Sequence, residues 1–320
     1  MLSTEELLRK AVLNVTGNPA GETTDFGGAG QAPLSIEQVT TFIALMSAGQ
    51  VVLPRVRKVT SNAQKWQESI VDLNTRVARP GTEGTRLGSA ERKKPTTGIV
   101  EISTSLVRAE IPVTDEVMED NVAGPAFLST LENLIADRFG YDLEDLFLNG
   151  DTLSGDTLLA MFNGWIKQVK TSGAAINAAA YGQDYQEIFR ALLETVNVRF
   201  LRALQTNGAF YIPKSAEIKY RDILASRGTS LGDLALTTQN TLAYQGIALI
   251  GVPAMNQTST SSILLATDTN LYAGFHRNMR FETYRDGREG ITSFLVTARV
   301  DAKVAVPTAA AVAYNVDVAV

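Results

Sequence analysis

The chain contains no cysteine and a single histidine, His276. The first absence excludes disulfides, thiolate metal sites and cysteine nucleophiles. The second leaves too few nitrogen ligands for an ordinary zinc site. No apolar run reaches the roughly 18 residues that a membrane span requires, so no membrane partner is expected. The first residues, Met1 to Glu6, lack the basic and apolar regions of a secretory signal. They carry a helix start instead, with Ser3 as N-cap and Glu6 closing a capping box. What is present is a 320-residue chain, 45% hydrophobic and 20% charged, large enough for one big domain or two medium ones. Its net charge of −5 argues against broad, neutralising contact with nucleic acid.

That charge is unevenly placed. Residues 55–94 hold ten Lys/Arg against four acids, a net of +6, while residues 110–148 hold ten acids against one base, Arg138, a net of −9. The basic stretch carries a turn-rich run, 79–88, too polar to bury. A long polar excursion in a compact domain points to a function or a partner. With Trp66 as its only aromatic and acids interspersed, the stretch makes a poor nucleic-acid patch. The complementary acidic surface lies in the same chain. An arm reaching a neighbouring copy is therefore the favoured reading, ahead of a solvated loop.

Local patterning places the elements. Short helices are expected at 3–14 and 35–48, joined by an extended arm at 16–33. Strand-like runs at 66–73 and 99–107 predict a long two-stranded hairpin, which is marginal in water unless it lies on something. A short acidic helix follows near 116–121. A long helix at 125–148 would span about 36 Å. Residues 151–183 look loop-like, with a turn at Phe162-Asn163-Gly164-Trp165-Ile166 leading into a short strand. One helix at 185–205 begins with Asp184 and Glu187 as a capping box and ends at Asn207-Gly208. Another helix covers 214–226. Strands follow near 209–212, 248–252, 262–266, 280–284 and 291–306. The fold class is α+β, without a regular βαβ repeat.

The sequence offers little catalytic chemistry. Gly228-Thr229-Ser230-Leu231-Gly232 matches the Gly-x-Ser-x-Gly elbow of serine hydrolases, and Asp268 and His276 follow in the right order. That elbow needs a strand before the serine and a helix after it, and here a helix precedes it. The serine hydrolase is thus the rival from another class, and catalytic, cofactor and metal residues are expected to be none. The acids at Glu116, Glu119 and Asp120, and at Asp142, Glu144 and Asp145, suit solvated helix faces or ionic contacts better than acid–base work.

The ordered set of features has a family resemblance. Ile102 to Asp120, then Leu148-Asn149-Gly150-Asp151, Phe162 to Ile166, Gly208 to Pro213, Arg280 to Tyr284 and Phe294 to Ala309 together resemble major capsid proteins of tailed bacteriophages with the Hong Kong 97 capsid fold. The resemblance covers nearly the whole chain, and no single motif carries it. It implies an N-terminal arm with short helices at 1–54 and an extended loop (the E-loop) at 55–100. A peripheral domain with the spine helix follows at 101–164, an axial domain at 165–285, and C-terminal strands of the peripheral domain at 286–320.

The resemblance also implies a virion protein, assembled in the host cytoplasm, that forms hexamers and pentamers of an icosahedral shell. The shell would enclose double-stranded DNA without sequence-specific binding. Other implied partners are a portal, a decoration protein, and scaffolding, which is expected to be separate or absent because the fold-like pattern begins near Met1. Lys93 and Lys94 lie in the loop, but no partner asparagine for a crosslink is evident. Inter-subunit contacts are expected from Arg76, Arg79, Arg86, Arg92, Lys93 and Lys94 on the loop. The opposing acids are Glu119, Asp120, Glu132, Asp137, Asp142, Glu144 and Asp145 in the spine region. An encapsulin nanocompartment shell of the same fold is the near alternative.

Overall fold

The computed structural model describes residues 50–72, 77, 78, 80, 83, 84, 88, 92, 94–119, 126–226, 242–255, 260–276 and 280–318. The expected helices at 3–14 and 35–48, the arm at 16–33 and most of the hairpin tip lie outside them. In chain order the elements are β1 (Arg57–Ser61), β2 (Lys65–Asp72), β3 (Thr96–Ser103), β4 (Ser105–Thr114), α1 (Asp115–Glu119) and α2 (Ala126–Asn149). Then come α3 (Trp165–Thr171), β5 (Ala175–Asn177), α4 (Tyr185–Thr195), α5 (Val198–Asn207), β6 (Gly208–Pro213) and α6 (Lys214–Ala225). The remainder is β7 (Ala243–Tyr244), β8 (Ile247–Val252), β9 (Thr260–Thr267), β10 (Leu271–His276), β11 (Arg280–Asp286), β12 (Ile291–Val304) and β13 (Ala311–Asp317).

The chain divides into two compact units. The first draws on Met1–Arg55, Leu106–Leu146 and Arg277–Arg299. There β11 and β12 form an antiparallel hairpin from Arg280↔Thr297 to Asp286↔Ile291, and β4 also pairs with β12. The end of β4 is fastened to that hairpin's turn. Asp115 N–H donates to Gly290 O at 2.8 Å, and the Asp115 carboxylate accepts from Arg285 at 2.7 Å. Helix α2 buries Ile135, Phe139, Leu143 and Leu146 on one stripe. Burying each such side chain contributes about 1.5–3 kcal/mol.

The second unit comprises Val56–Ser105, Phe147–His276 and Val300–Val320. Its six-stranded sheet has the order β5-β13-β9-β6-β8-β7, with β6 parallel to β8 and antiparallel to β9. Phe189 of α4 is a centre of its core, with ring centroids 4.9 Å from Phe210, 5.3 Å from Tyr220 and 5.5 Å from Tyr244. A second cluster gathers on Phe147, which lies 5.5 Å from Trp165, 5.9 Å from Phe275 and 6.1 Å from Phe162. Also in this unit, β1 runs parallel to β10, and β10 pairs antiparallel with the end of β12.

Several expectations need correction. Residues 165–171 form helix α3, not a strand, because Trp165, Ile166 and Val169 bury one helical side. Gly164 caps it in a position where a Cβ would meet the backbone of Phe147 and Leu148 at 2.6 and 2.8 Å. The helix expected at 185–205 is two: Val196 is extended, and the Asn197 side chain accepts from Arg199 N–H to start α5. Asp184 caps α4 by accepting from Gln186 N–H, while its own N–H donates to Tyr181 O, so no reciprocal bond from Glu187 is needed. The helix end expected at Asn207-Gly208 stands: α5 stops at Asn207, and Gly208, extended, opens β6. The hairpin's second strand ends at Ser103, not at 107. Residues 311–317, for which no separate strand was expected, form β13 between β5 and β9.

Candidate assembly surfaces

The basic hairpin is present as an eight-rung antiparallel ribbon. Its register runs from Lys65↔Ser103 to Asp72↔Thr96. Alternation splits the ribbon into two faces. Trp66, Ile70, Val100 and Ile102 share one face, all at least partly buried. Val71 and Ile99 sit on the other, 64% and 65% exposed. A ribbon with an apolar pair on its open face has no core of its own. Of the predicted basic contacts, Arg92 and Lys94 are exposed. Arg76, Arg79, Arg86 and Lys93 lie outside the described residues.

The acidic region is less uniform than its sequence suggests. Glu119 ends α1, and Asp120 lies outside the described residues. Asp137 is exposed, and its backbone carbonyl accepts from the Gln50 side chain at 3.1 Å. Asp142 is half-buried and pairs with Arg138 at 2.9 Å. Asp145 is half-buried as well. Glu132 falls near the buried stripe, and desolvation pushes its carboxyl up from the ordinary range.

Glu144 must be withdrawn from the predicted contact set. It is 1% exposed, and its Oε2 accepts from the backbone N–H groups of Val52 at 2.9 Å and Leu53 at 3.2 Å. The carboxylate holds its own chain's 50–53 segment and is not available to a neighbour. Helical spacing could not reveal this, because the covering segment is remote in sequence.

Burial pushes the Glu144 carboxyl up, and the amide donors draw it partly back. The folded state therefore binds this proton more tightly than the unfolded state does. The group's contribution is least favourable above its raised pKa and improves as pH falls through it. Glu144→Gln keeps an acceptor without the charge. It is expected to be neutral or mildly stabilising at neutral pH and to flatten this pH dependence in urea titrations. Glu144→Leu leaves two buried N–H groups unpaired and should cost about 2–4 kcal/mol. Equal stability of the two variants would show that the amide bonds contribute nothing.

Periodicity alone misses the outward stripe of α2. Leu134 fits the apolar period of the helix but is 61% exposed. With Arg138 and Tyr141 it forms an i, i+4, i+7 row, and the Arg138 guanidinium sits 5.0 Å from the Tyr141 ring centroid. Arg and Tyr are among the side chains enriched in binding hot spots. The spacing was legible; which side was covered was not.

The hydrolase reading gains no geometry. Gly228 to Gly232 lie outside the described residues. Asp268 accepts from the Tyr211 hydroxyl at 2.5 Å, and His276 is the last residue of the buried strand β10. Among the described residues no group of three or more His, Asp or Glu could hold a metal ion. No helix among them is long and apolar enough to cross a membrane.

The family described as the phage capsid family matches residues 30–315. A protein of Bacillus subtilis (strain 168) named as a prophage capsid protein, YqbE, is 28% identical over 305 residues, covering 93% of this chain and 94% of its own. The satellite phage P4 procapsid subunit matches with a TM-score of 0.67 at 10% identity, over 98% of each chain. The SrpI encapsulin of Synechococcus elongatus PCC 7942 matches with a TM-score of 0.52 at 15% identity, over 84% of this chain and 89% of its own. The likeness of fold extends to both kinds of shell, and the sequence match covers most of the chain: the chain belongs to the phage capsid family and is a structural capsid protein with a Hong Kong 97-type fold.

Proposed function

We propose that this protein is the major capsid subunit of a tailed phage or prophage. It assembles through hexamers and pentamers into an icosahedral shell around double-stranded DNA, formed in the host cytoplasm and carried in the virion. A portal, a scaffolding protein and a decoration protein are the further partners this reading expects. The observation that carries it is the β2–β3 ribbon with Val71 and Ile99 open to solvent: such a ribbon is stable only against a surface it does not itself supply. That surface is the α2 region of a neighbouring copy. Arg76, Arg79, Arg86, Arg92, Lys93 and Lys94 face Glu119, Asp120, Glu132, Asp137, Asp142 and Asp145, and complementary charge sets register more than affinity.

Negative-stain images of the purified protein should contain capsomers or closed shells, and particles from the native host should protect DNA from nuclease. A uniform small globule at high concentration would overturn the shell reading. Particles filled with a protein cargo and free of DNA would favour the encapsulin reading instead.

A further inference from the structure

We infer that Asp301 is a positioning residue for assembly: its buried carboxylate, opposite Gly274, forms a seat that sets the direction in which the β2–β3 ribbon leaves β10 and β12. The inference rests on the reading of the ribbon as an inter-subunit arm.

Asp301 lies on β12 and is 1% exposed. Its Oδ2 accepts from Ser103 N–H at 2.7 Å. Ser103 is the last residue of β3 and pairs with Lys65, the first of β2, so this bond fastens the root of the ribbon to β12. One step further, the N–H and Oγ1 of Thr104 both donate to Gln64 O at 3.1 Å, closing the two strands on each other. Gly274 is the register partner of Asp301 across the β10–β12 ladder. A Cβ at position 274 would lie 2.6 Å from Ile102 Cγ2 and 3.4 Å from the Trp66 ring. Trp66 and Ile102 are the second rung of the ribbon, directly opposite one another. The two partners thus divide the work: Gly274 removes the bulk that would tilt the ribbon, and Asp301 supplies the acceptor that holds it.

A buried carboxylate is costly unless it is bonded. Here Lys303 Nζ stands 3.6 Å away, and the bond to Ser103 is charge-assisted. Stability alone would be served as well by a less costly residue. Angular control gives the buried acceptor a purpose. Eight residues at about 3.3 Å each make a lever of about 25 Å, so a tilt of about 10° at the root moves its far end by about 4 Å. That is the whole reach of an ion pair.

The test compares Asp301→Ala with Asp301→Asn, whose Oδ1 retains the acceptor for Ser103. In Asp301→Ala the subunit should keep its far-ultraviolet circular dichroism and a cooperative thermal transition. Amide exchange at 102–104 should rise at least tenfold, and the yield of regular shells should fall at least tenfold. Asp301→Asn should stay within about twofold of the unaltered protein in both readouts. Shells of normal yield and size from Asp301→Ala would overturn the inference. So would loss of assembly in Asp301→Asn while exchange at 102–104 stays slow.

Should Asp301→Ala fail to fold, Gly274→Ala and the double variant Gly274→Ala/Ile102→Ala approach the seat from the other side. Assembly lost in the first and regained in the second supports it, and equal assembly in both overturns it. Normal shells from Asp301→Ala alongside failure of a variant with reversed charges at the ribbon tip would sink the seat and leave the arm reading standing. Normal shells from both would sink the two together.

Discussion

Replacing Arg76, Arg79 and Arg86 together by glutamate is expected to abolish shell formation while leaving the subunit folded. The three reversals take the +6 excess of residues 55–94 to zero and, on the proposed arm contact, would set new acids against a region of net −9. A single exposed ion pair contributes only about 0–1 kcal/mol. In a shell every subunit both gives and receives an arm, so small losses repeat at every contact. Surface substitutions each change subunit stability by about 0.5 kcal/mol or less, so the three together should move the thermal midpoint by no more than about 5 °C. Assembly followed by light scattering and electron microscopy is the readout. Salt near 1 M should partly mimic the variant, because the screening length falls to about 3 Å. Regular shells at the normal yield would show that the arm is not held by these charges.

Phe147→Ala is expected to be severely destabilising, at about 3–5 kcal/mol. Phe147 is fully buried, and its ring meets those of Phe162, Trp165 and Phe275. Those three rings sit on the segment after α2, on α3 and on β10. Trp165 is itself fixed by its indole N–H donating to Tyr272 O at 3.2 Å. The cavity cannot collapse easily, because backbone at Phe147 and Leu148 already presses on Gly164. Calorimetry should record a drop in midpoint on the order of 10 °C. Val198→Ala, at an exposed position, should leave the midpoint nearly unchanged. Comparable midpoints for the two variants would show that the aromatic cluster is not a centre of stability.

Much of the architecture was legible locally. The long helix runs from Ala126 to Asn149 against an expected 125–148, because its apolar residues recur at the helical period over six turns. The ribbon strands also fall close to their expected places. What failed did so for identifiable reasons. The break between α4 and α5 hides in an apolar pattern that continues through Val196, and only the Asn197 cap marks it. Strand β13 is built on Ala311, Val312 and Ala313, small residues with no alternation, buried on both sides between β5 and β9. Burial on both faces erases the period-two signal.

The sequence by itself determined the absence of cysteine chemistry, the opposed charges of 55–94 and 110–148, and the ribbon that cannot bury itself. These are properties of composition and of neighbours along the chain. The tertiary structure alone decided that Glu144 serves the 50–53 segment, and that Leu134 and Arg138 face outward. It also placed Asp301 beneath the ribbon root, 198 residues away from Ser103. Periodicity tells which residues share a face of a helix or strand. It does not tell what covers that face, because the cover comes from chain that is distant in sequence or, for the open side of the ribbon in the proposed shell, from another molecule.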